Sequence, residues 1–223
     1  KLLKKFNLKA VGKDFPVFLH PETKEEIALA RTEKKKGFGY KGFTFFTSKD
    51  LTVEDDLLRR DLTINSMAVD EKGILIDPFD GISDIKNKIF KNTSSAFKED
   101  PLRLIRLARF CSYFPEFTIK QETFQICKEI CDSNEIKYIS QERIWIELSK
   151  GLLGSKPSEM IKFLTETGAW KQITNSSIFI EETLNNVDYL KSINLPLKWL
   201  AGFLFENYEL EKINCAFPGE VKK

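Results

Sequence analysis

The chain has 223 residues, 42% of them apolar, and 35 Lys and Arg against 33 Asp and Glu, for a net charge of +2. That length supports one or two packed domains, and so even a charge balance excludes a global basic field, so any nucleic-acid site must be local. A single histidine, His20, argues against histidine–aspartate phosphohydrolase, zinc-protease and Ser-His-Asp chemistry, each of which needs at least one well-placed histidine.

No apolar run is long enough to cross a bilayer, and no signal peptide is evident. The four cysteines, Cys111, Cys127, Cys131 and Cys215, form no CxxC pair and read as reduced, partly buried thiols of a cytoplasmic protein. His20 stands in HPET before a turn-like proline and reads as a surface or packing residue. The sequence opens on KLLKKF without a methionine and closes on PGEVKK, so both ends are expected to be cut.

In chain order, residues 1–10 carry a short helical pattern. From Phe15 to Asp77 the texture is strand-like: VFLH, EEIALA, FTFFT and GILIDPF are short β-branched and aromatic runs broken by Gly, Pro and charges. KKKGFGYKGF, residues 34–43, reads as a flexible glycine- and lysine-rich loop, able to order on substrate or simply to form a solvated hairpin tip. Residues 51–69 predict one helix with Leu57, Leu58, Ile64 and Met67 on its inward face. ILIDPFDGISDIKNKIF predicts a strand, a turn and a short return strand. Beyond Asn92 helices are expected at 99–114, 120–132, 140–153, 157–167, 178–192 and 195–207, with breaks at FPEFT, SNE, LLGSKP and NLP. Strands first and helices after predict an α+β head followed by an all-α remainder.

The stretch EDPLRLIRLARF, residues 99–110, sets three arginines at three-residue spacing among aliphatics. Asp100 can cap a helix whose first position suits Pro101. Arg103, Arg106 and Arg109 then fall within an arc of about 120°. Two readings stand open. One is a solvated basic face, with Glu99 pairing to Arg103. The other is a site that reads a nucleobase. A carboxylate only accepts and a guanidinium only donates. Side by side, Asp100 and Arg103 match an amino group next to a ring acceptor, the edge shown by cytosine (N4, N3) and adenine (N6, N1). Uracil and guanine present the reverse pattern and would leave both contacts unpaired. Arg106 and Arg109, one and two turns on, could meet a triphosphate.

These residues resemble the base-selecting motif of class II tRNA nucleotidyltransferases, the CCA-adding enzymes, and of the related bacterial poly(A) polymerases. RRDLTINSMA (59–68) is similar to that family's ribose-reading motif, DPFDGISDIKNKIF (77–90) to its flexible hinge motif and QERIWIEL (141–148) to the helical motif that steadies its neck. DFPVFLHPETKEEIALARTE (14–33) fits most closely the gamma-proteobacterial CCA-adding type, and the likeness runs in order over residues 10–170.

The resemblance implies a polymerase-β-like nucleotidyltransferase head with a mixed sheet at 1–92, an all-α neck carrying the base-selecting helix at 93–153 and a helical, RNA-binding body at 154–223. It implies that Asp100 and Arg103 read the base, that Glu99 orients Arg103, and that Arg60, Arg106 and Arg109 contact nucleotide. Asp61 and Asn65 would belong to the sugar-reading element. The implied reaction is template-independent addition of CCA to tRNA from CTP and ATP with two metal ions, Mg2+, held by three carboxylates. Glu26 matches the third carboxylate best. The implied Gly-Gly loop and Asp-x-Asp pair are not in the sequence, and the family pattern places both just upstream of Lys1. The polypeptide as written is therefore expected to be inactive. LPLKWLAGFLFENYELEKINCAFPGEVKK (195–223) has no histidine, so the phosphohydrolase domain of many relatives is not expected there. A poly(A) polymerase or A-adding enzyme of the same family, and an inactive RNA- or nucleotide-binding module, are the alternatives.

Overall fold

The computed structural model describes residues 8–10, 17–35, 43–46, 48, 50–174 and 181–193. The head begins with three antiparallel strands in the order β1 (Lys9–Ala10), β2 (Val17–Leu19), β3 (Glu26–Ala28), with Leu19 opposite Glu26. A second antiparallel pair joins β4 (Thr32–Lys35) to β5 (Phe43–Phe46). Lys34, Lys35 and Phe43, expected in the loop, therefore belong to strands, and residues 36–42 lie outside the described residues. Lys9 and Ala10 are also in a strand rather than the expected N-terminal helix.

The long helix expected over 51–69 is three pieces: α1 (Val53–Leu58), a 3-10 turn at Thr63–Asn65 and strand β6 (Ala68–Val69). Thr52 and Asp55 form a reciprocal capping box that starts α1. The helix stops because the next residues are claimed elsewhere. Thr63 donates its amide to Lys91, Thr93 donates to Asp61, and Leu62 bridges Asn92. Leu57, expected inward, is buried, and so is Leu62, which was not expected to be, while Leu58, expected inward, is exposed.

β7 (Leu75–Ile76) pairs with β6. The turn expected after it is a helix, α2 (Gly81–Lys86). Asp77 nucleates it by accepting the amides of Gly81 at 2.7 Å and Ile82 at 2.9 Å. β8 (Ile89–Phe90) then pairs in parallel with β9 (Thr118–Ile119), beyond the next helix, instead of returning onto β7.

The helical part holds α3 (Leu102–Tyr113), α4 (Gln121–Asp132), α5 (Gln141–Leu152), α6 (Pro157–Thr167), α7 (Ala169–Thr174) and α8 (Glu181–Ser192). α7 was not expected, and the helix expected at 195–207 lies outside the described residues. Pro157 opens α6 and Gly168, at φ 86°, closes it in the left-handed conformation that favours glycine. α3 packs between α5 and α6. Leu104, Ile105, Leu107 and Ala108 of α3 are fully buried with Leu148 and Leu152 of α5 and Met160, Ile161 and Leu164 of α6. The same core takes in Leu62, Phe90 and Phe97, so the head strands and the helices share one apolar centre. Each such side chain contributes about 1.5–3 kcal/mol. The architecture is the α+β head and helical remainder that the sequence predicts.

Cys111, Cys127 and Cys131 are free and buried in this core. Burial, reinforced by the Glu159 charge, pushes the Cys111 thiol up to about 12, and burial pushes Cys131 to about 11. Among the described residues no helix is long and apolar enough to cross a membrane.

Candidate functional site

The N-terminal end of α3 organises the site. A 3-10 turn at Ser95–Glu99 leads into it. The helix starts at Leu102 with Pro101 as its N-cap, one residue later than expected, and Asp100 braces that start from outside: Oδ1 accepts the Leu102 amide at 3.1 Å, and its carbonyl accepts the Arg103 amide at 2.9 Å. Its other oxygen, Oδ2, accepts Nη2 of Arg143 at 3.1 Å. Arg103 is buried, 9% exposed. It donates from Nη1 to the Ala96 carbonyl at 2.8 Å and from Nη2 to the Arg59 carbonyl at 2.5 Å, which fixes the plane of its guanidinium. Glu99 and Arg103 together line a cleft of about 240 Å³ with Thr32, Asp55, Arg59 and Ser94.

One turn on, Arg106 reaches the head. Its Nη2 lies 3.2 Å from Oδ2 of Asp61, a carboxylate 5% exposed. Oδ1 of Asp61 accepts the Leu62 amide and Nδ2 of Asn65 at 3.3 Å. The Arg106 approach is close enough for an ion pair but not aligned for a hydrogen bond. Oδ2 of Asp61 and Nε of Arg106 are thus both buried and without a hydrogen-bond partner in the structure. Arg60 donates to the Asn65 carbonyl at 3.2 Å and faces Asp56 at 3.4 Å. Arg106, 41 residues beyond Asn65 in sequence, therefore joins Arg60, Asp61 and Asn65 in one cluster.

Arg109 is held apart from that cluster. Its Nε lies 2.6 Å from Oε2 of Glu147 on α5, and its guanidinium stacks 4.4 Å from the Phe110 ring. The helix face carrying Arg103, Arg106 and Arg109 is engaged by the protein and is not the solvated basic stripe that was one of the open readings.

The resemblance of QERIWIEL to a neck-steadying motif assigns no role to its individual residues. Arg143 and Glu147, one turn apart in that motif, both reach the stretch 99–110, at Asp100 and Arg109. The spacing of opposite charges at i and i+4 was the available signal. Arg59 and Asp56 were likewise missed. Arg59 brackets Asp56 at 2.6 Å and donates to the Arg31 carbonyl at 3.0 Å. Burial works to raise the Asp56 carboxyl, but the hydrogen bond and charge of Arg59, with Arg31 and Arg60, outweigh it and hold it below its ordinary value of 3.8.

Glu26 stands on β3, exposed. Among the described residues no three His, Cys, Asp or Glu side chains come together in a group that could hold a metal ion. The described residues therefore offer Glu26 as one carboxylate and do not by themselves assemble a two-metal site.

Residues 5–91 match the Poly A polymerase head domain, and residues 116–175 match the probable RNA- and SrmB-binding site of polymerase A. A polymerase head domain followed by a helical unit that matches this probable binding region defines the class. Within it, the chain belongs to the family of tRNA nucleotidyltransferases and bacterial poly(A) polymerases. It is 49% identical over 187 residues to the CCA-adding enzyme of Bordetella pertussis, covering 84% of this chain and 51% of that one. It is 47% identical over 192 residues to the Multifunctional CCA protein of Aliivibrio salmonicida, covering 85% and 45%. The chain thus spans about half the length of the curated relatives it matches. The fold is similar to the Bacillus stearothermophilus CCA-adding enzyme in complex with CTP, with a TM-score of 0.64 at 29% identity, over 81% of this chain and 43% of that one. A tRNA-processing enzyme with CTP has the same fold, with a TM-score of 0.75 at 20% identity, over 100% and 62%.

Proposed function

We propose that the protein carrying this chain adds CCA to the 3′ end of tRNA from CTP and ATP without a template, in the cytoplasm. The observation that carries this reading is the orphaned pair at the head–helix junction. Oδ2 of Asp61 and Nε of Arg106 are a buried acceptor and a buried donor, neither with a hydrogen-bond partner in the structure. Oδ2 of Asp61 keeps its ion pair with Nη2 of Arg106, but both atoms retain unused hydrogen-bonding capacity. A ribose hydroxyl beside a phosphate oxygen supplies the complementary donor and acceptor.

The reaction is attack of the terminal 3′-hydroxyl oxygen on the α-phosphorus. An O–P bond forms, the bond to pyrophosphate breaks, and the hydroxyl proton leaves. In this reading Asp100 accepts from the amino group of C or A, and Arg103 donates to the adjoining ring nitrogen. Glu99 keeps Arg103 in place. Arg60, Asp61 and Asn65 hold the sugar end, and Arg106 and Arg109 carry positive charge toward the triphosphate. Glu26 is the carboxylate that this chain offers to Mg2+. The organisation is a head at 1–92, a neck at 93–153 and a body at 154–223 that receives tRNA by shape and phosphate contacts.

The test is incorporation by the full-length protein onto tRNA ending at the discriminator base. Labelled CTP alone is expected to extend it, with ATP required to complete the end. Use of ATP but not CTP identifies an A-adding enzyme or poly(A) polymerase instead. No incorporation of either, with nucleotide still bound, identifies a binding module.

A further inference from the structure

We propose that Arg143 is a positioning residue for base selection, fixing the plane of the Asp100 carboxylate by its ion pair from α5. The inference rests on Asp100 and Arg103 reading the base.

A carboxylate held at one oxygen swings about its terminal bond, because that torsion is broad. Asp100 is held at both. Oδ1 accepts the Leu102 amide and Oδ2 accepts Arg143, each at 3.1 Å, and the two donors come from different elements. Arg143 is itself set by the α3–α5 packing. Leu148 and Leu152 are buried in the shared core, and Glu147, one turn after Arg143, clamps Arg109 at 2.6 Å. One face of α5 therefore grips the base-selecting segment twice, with a cation on Asp100 and an anion on Arg109.

Fixing the plane matters because the discrimination is one of register. Cytosine shows an amino donor, then the N3 acceptor. Uracil shows the O4 acceptor, then the N3 donor, then the O2 acceptor. An acceptor–donor pair that slips by one position along the edge of uracil meets N3–H with its carboxylate and O2 with its guanidinium, and both contacts are satisfied. Refusing such a slip requires both members to keep their places relative to the bound sugar, and Arg103 is restrained by its bonds to the Ala96 and Arg59 carbonyls. Asp100 is the member that could move, and Arg143 is what holds it. Guanine offers no such escape, because the same slip brings the carboxylate to N1–H but sets the guanidinium against the N2 amino group, a second donor.

The test is calorimetric binding of CTP, UTP, ATP and GTP to this chain, compared with Arg143→Met, Arg143→Lys and Asp100→Asn. Arg143→Met is expected to lower the CTP-to-UTP affinity ratio about tenfold, the weight of one charge-assisted hydrogen bond. Arg143→Lys, which keeps the charge but not the planar fork, is expected to fall between wild type and Arg143→Met. A wild-type ratio in both variants overturns the proposal, even if overall affinity or melting temperature drops. If Arg143→Met does not fold, the ratio of Arg143→Lys decides. Asp100→Asn separates the two layers. If it abolishes the ratio while the Arg143 variants keep it, only the role of Arg143 is wrong. If it leaves the ratio unaltered, or if the wild-type chain shows no preference, the base-reading assignment fails and the inference with it.

Discussion

α1 in the head buries one of its six residues, Leu57, whereas α3 buries eight of its twelve. The head segment around α1 is held instead by directional polar braces. Thr63 Oγ1 donates to Asp84 at 2.6 Å, Ser66 and Thr93 share a hydrogen bond at 2.7 Å, and Ser94 Oγ donates to the Leu58 carbonyl at 2.9 Å. The residues proposed to meet nucleotide sit where these two regimes join, Arg60, Asp61 and Asn65 on the braced side, and Arg103, Arg106 and Arg109 on the packed side. Apolar packing fixes a platform without specifying chemistry. Polar braces specify donors and acceptors, and can exchange a protein partner for a ligand one. A site that needs both a rigid reader and a fillable pocket gains from lying at that junction.

If α3 is the platform, hollowing it should have the largest effect. Ile105 is fully buried at the centre of the shared core. Ile105→Ala is expected to cost about 2–5 kcal/mol, seen as a lowered urea midpoint with the slope unchanged. A loss well under 1 kcal/mol would mean that the packed region collapses onto the gap and that its rigidity has been overstated.

The braced side is probed by adding one carbon. A Cβ on Gly81 would lie 2.4 Å from the Thr63 carbonyl oxygen, which is backbone and tied to the 3-10 turn before β6. Gly81→Ala is expected to destabilise by about 1–3 kcal/mol, less than Ile105→Ala, because the short α2 can shift as a unit. A neutral result would show that the head yields freely at this contact and that the two regions differ in stiffness more than the hydrogen bonds suggest.

How much of this was legible beforehand follows the same division. The helices from α3 to α6 and α8 were readable, because a buried face repeats with helical period and Pro157 and the later breaks mark the ends. Short elements held by single side chains were not. α2 depends on Asp77 capping amides four and five residues on, and the helix expected over 51–69 broke because Leu62 and Thr63 bond to residues 91 and 92. No local propensity records a partner 28 residues away. At the site, the residue types and their motif order pointed to Arg60, Asp61, Asn65, Asp100 and the arginines of α3. That Arg106 meets Asp61, and that Arg143 and Glu147 arrive from α5, required the tertiary arrangement. Glu26 was picked by resemblance alone, and no described carboxylates converge on it.

The smallest expected effect distinguishes the braces by charge. Asp56 is kept ionised by Arg59, with Arg31 and Arg60, against the cost of burial, so its carboxyl titrates below 3.8 in the folded chain. A carboxylate depressed on folding stabilises the fold above its ordinary value, and that contribution disappears as pH falls through the lower, folded value. The stability gap between wild type and Asp56→Asn should therefore be full at pH 7, begin to shrink only below about pH 4, and be nearly closed where Asp56 itself is protonated. Urea midpoints measured for both proteins from pH 7 down to the acid limit check this. The gap should also narrow with added salt, because the pair is partly open to solvent. A gap that ignores both pH and salt would mean that Asp56 acts through packing or through neutral hydrogen bonds to the Arg31 amide. The braced side would then resemble the packed side more closely than its burial indicates.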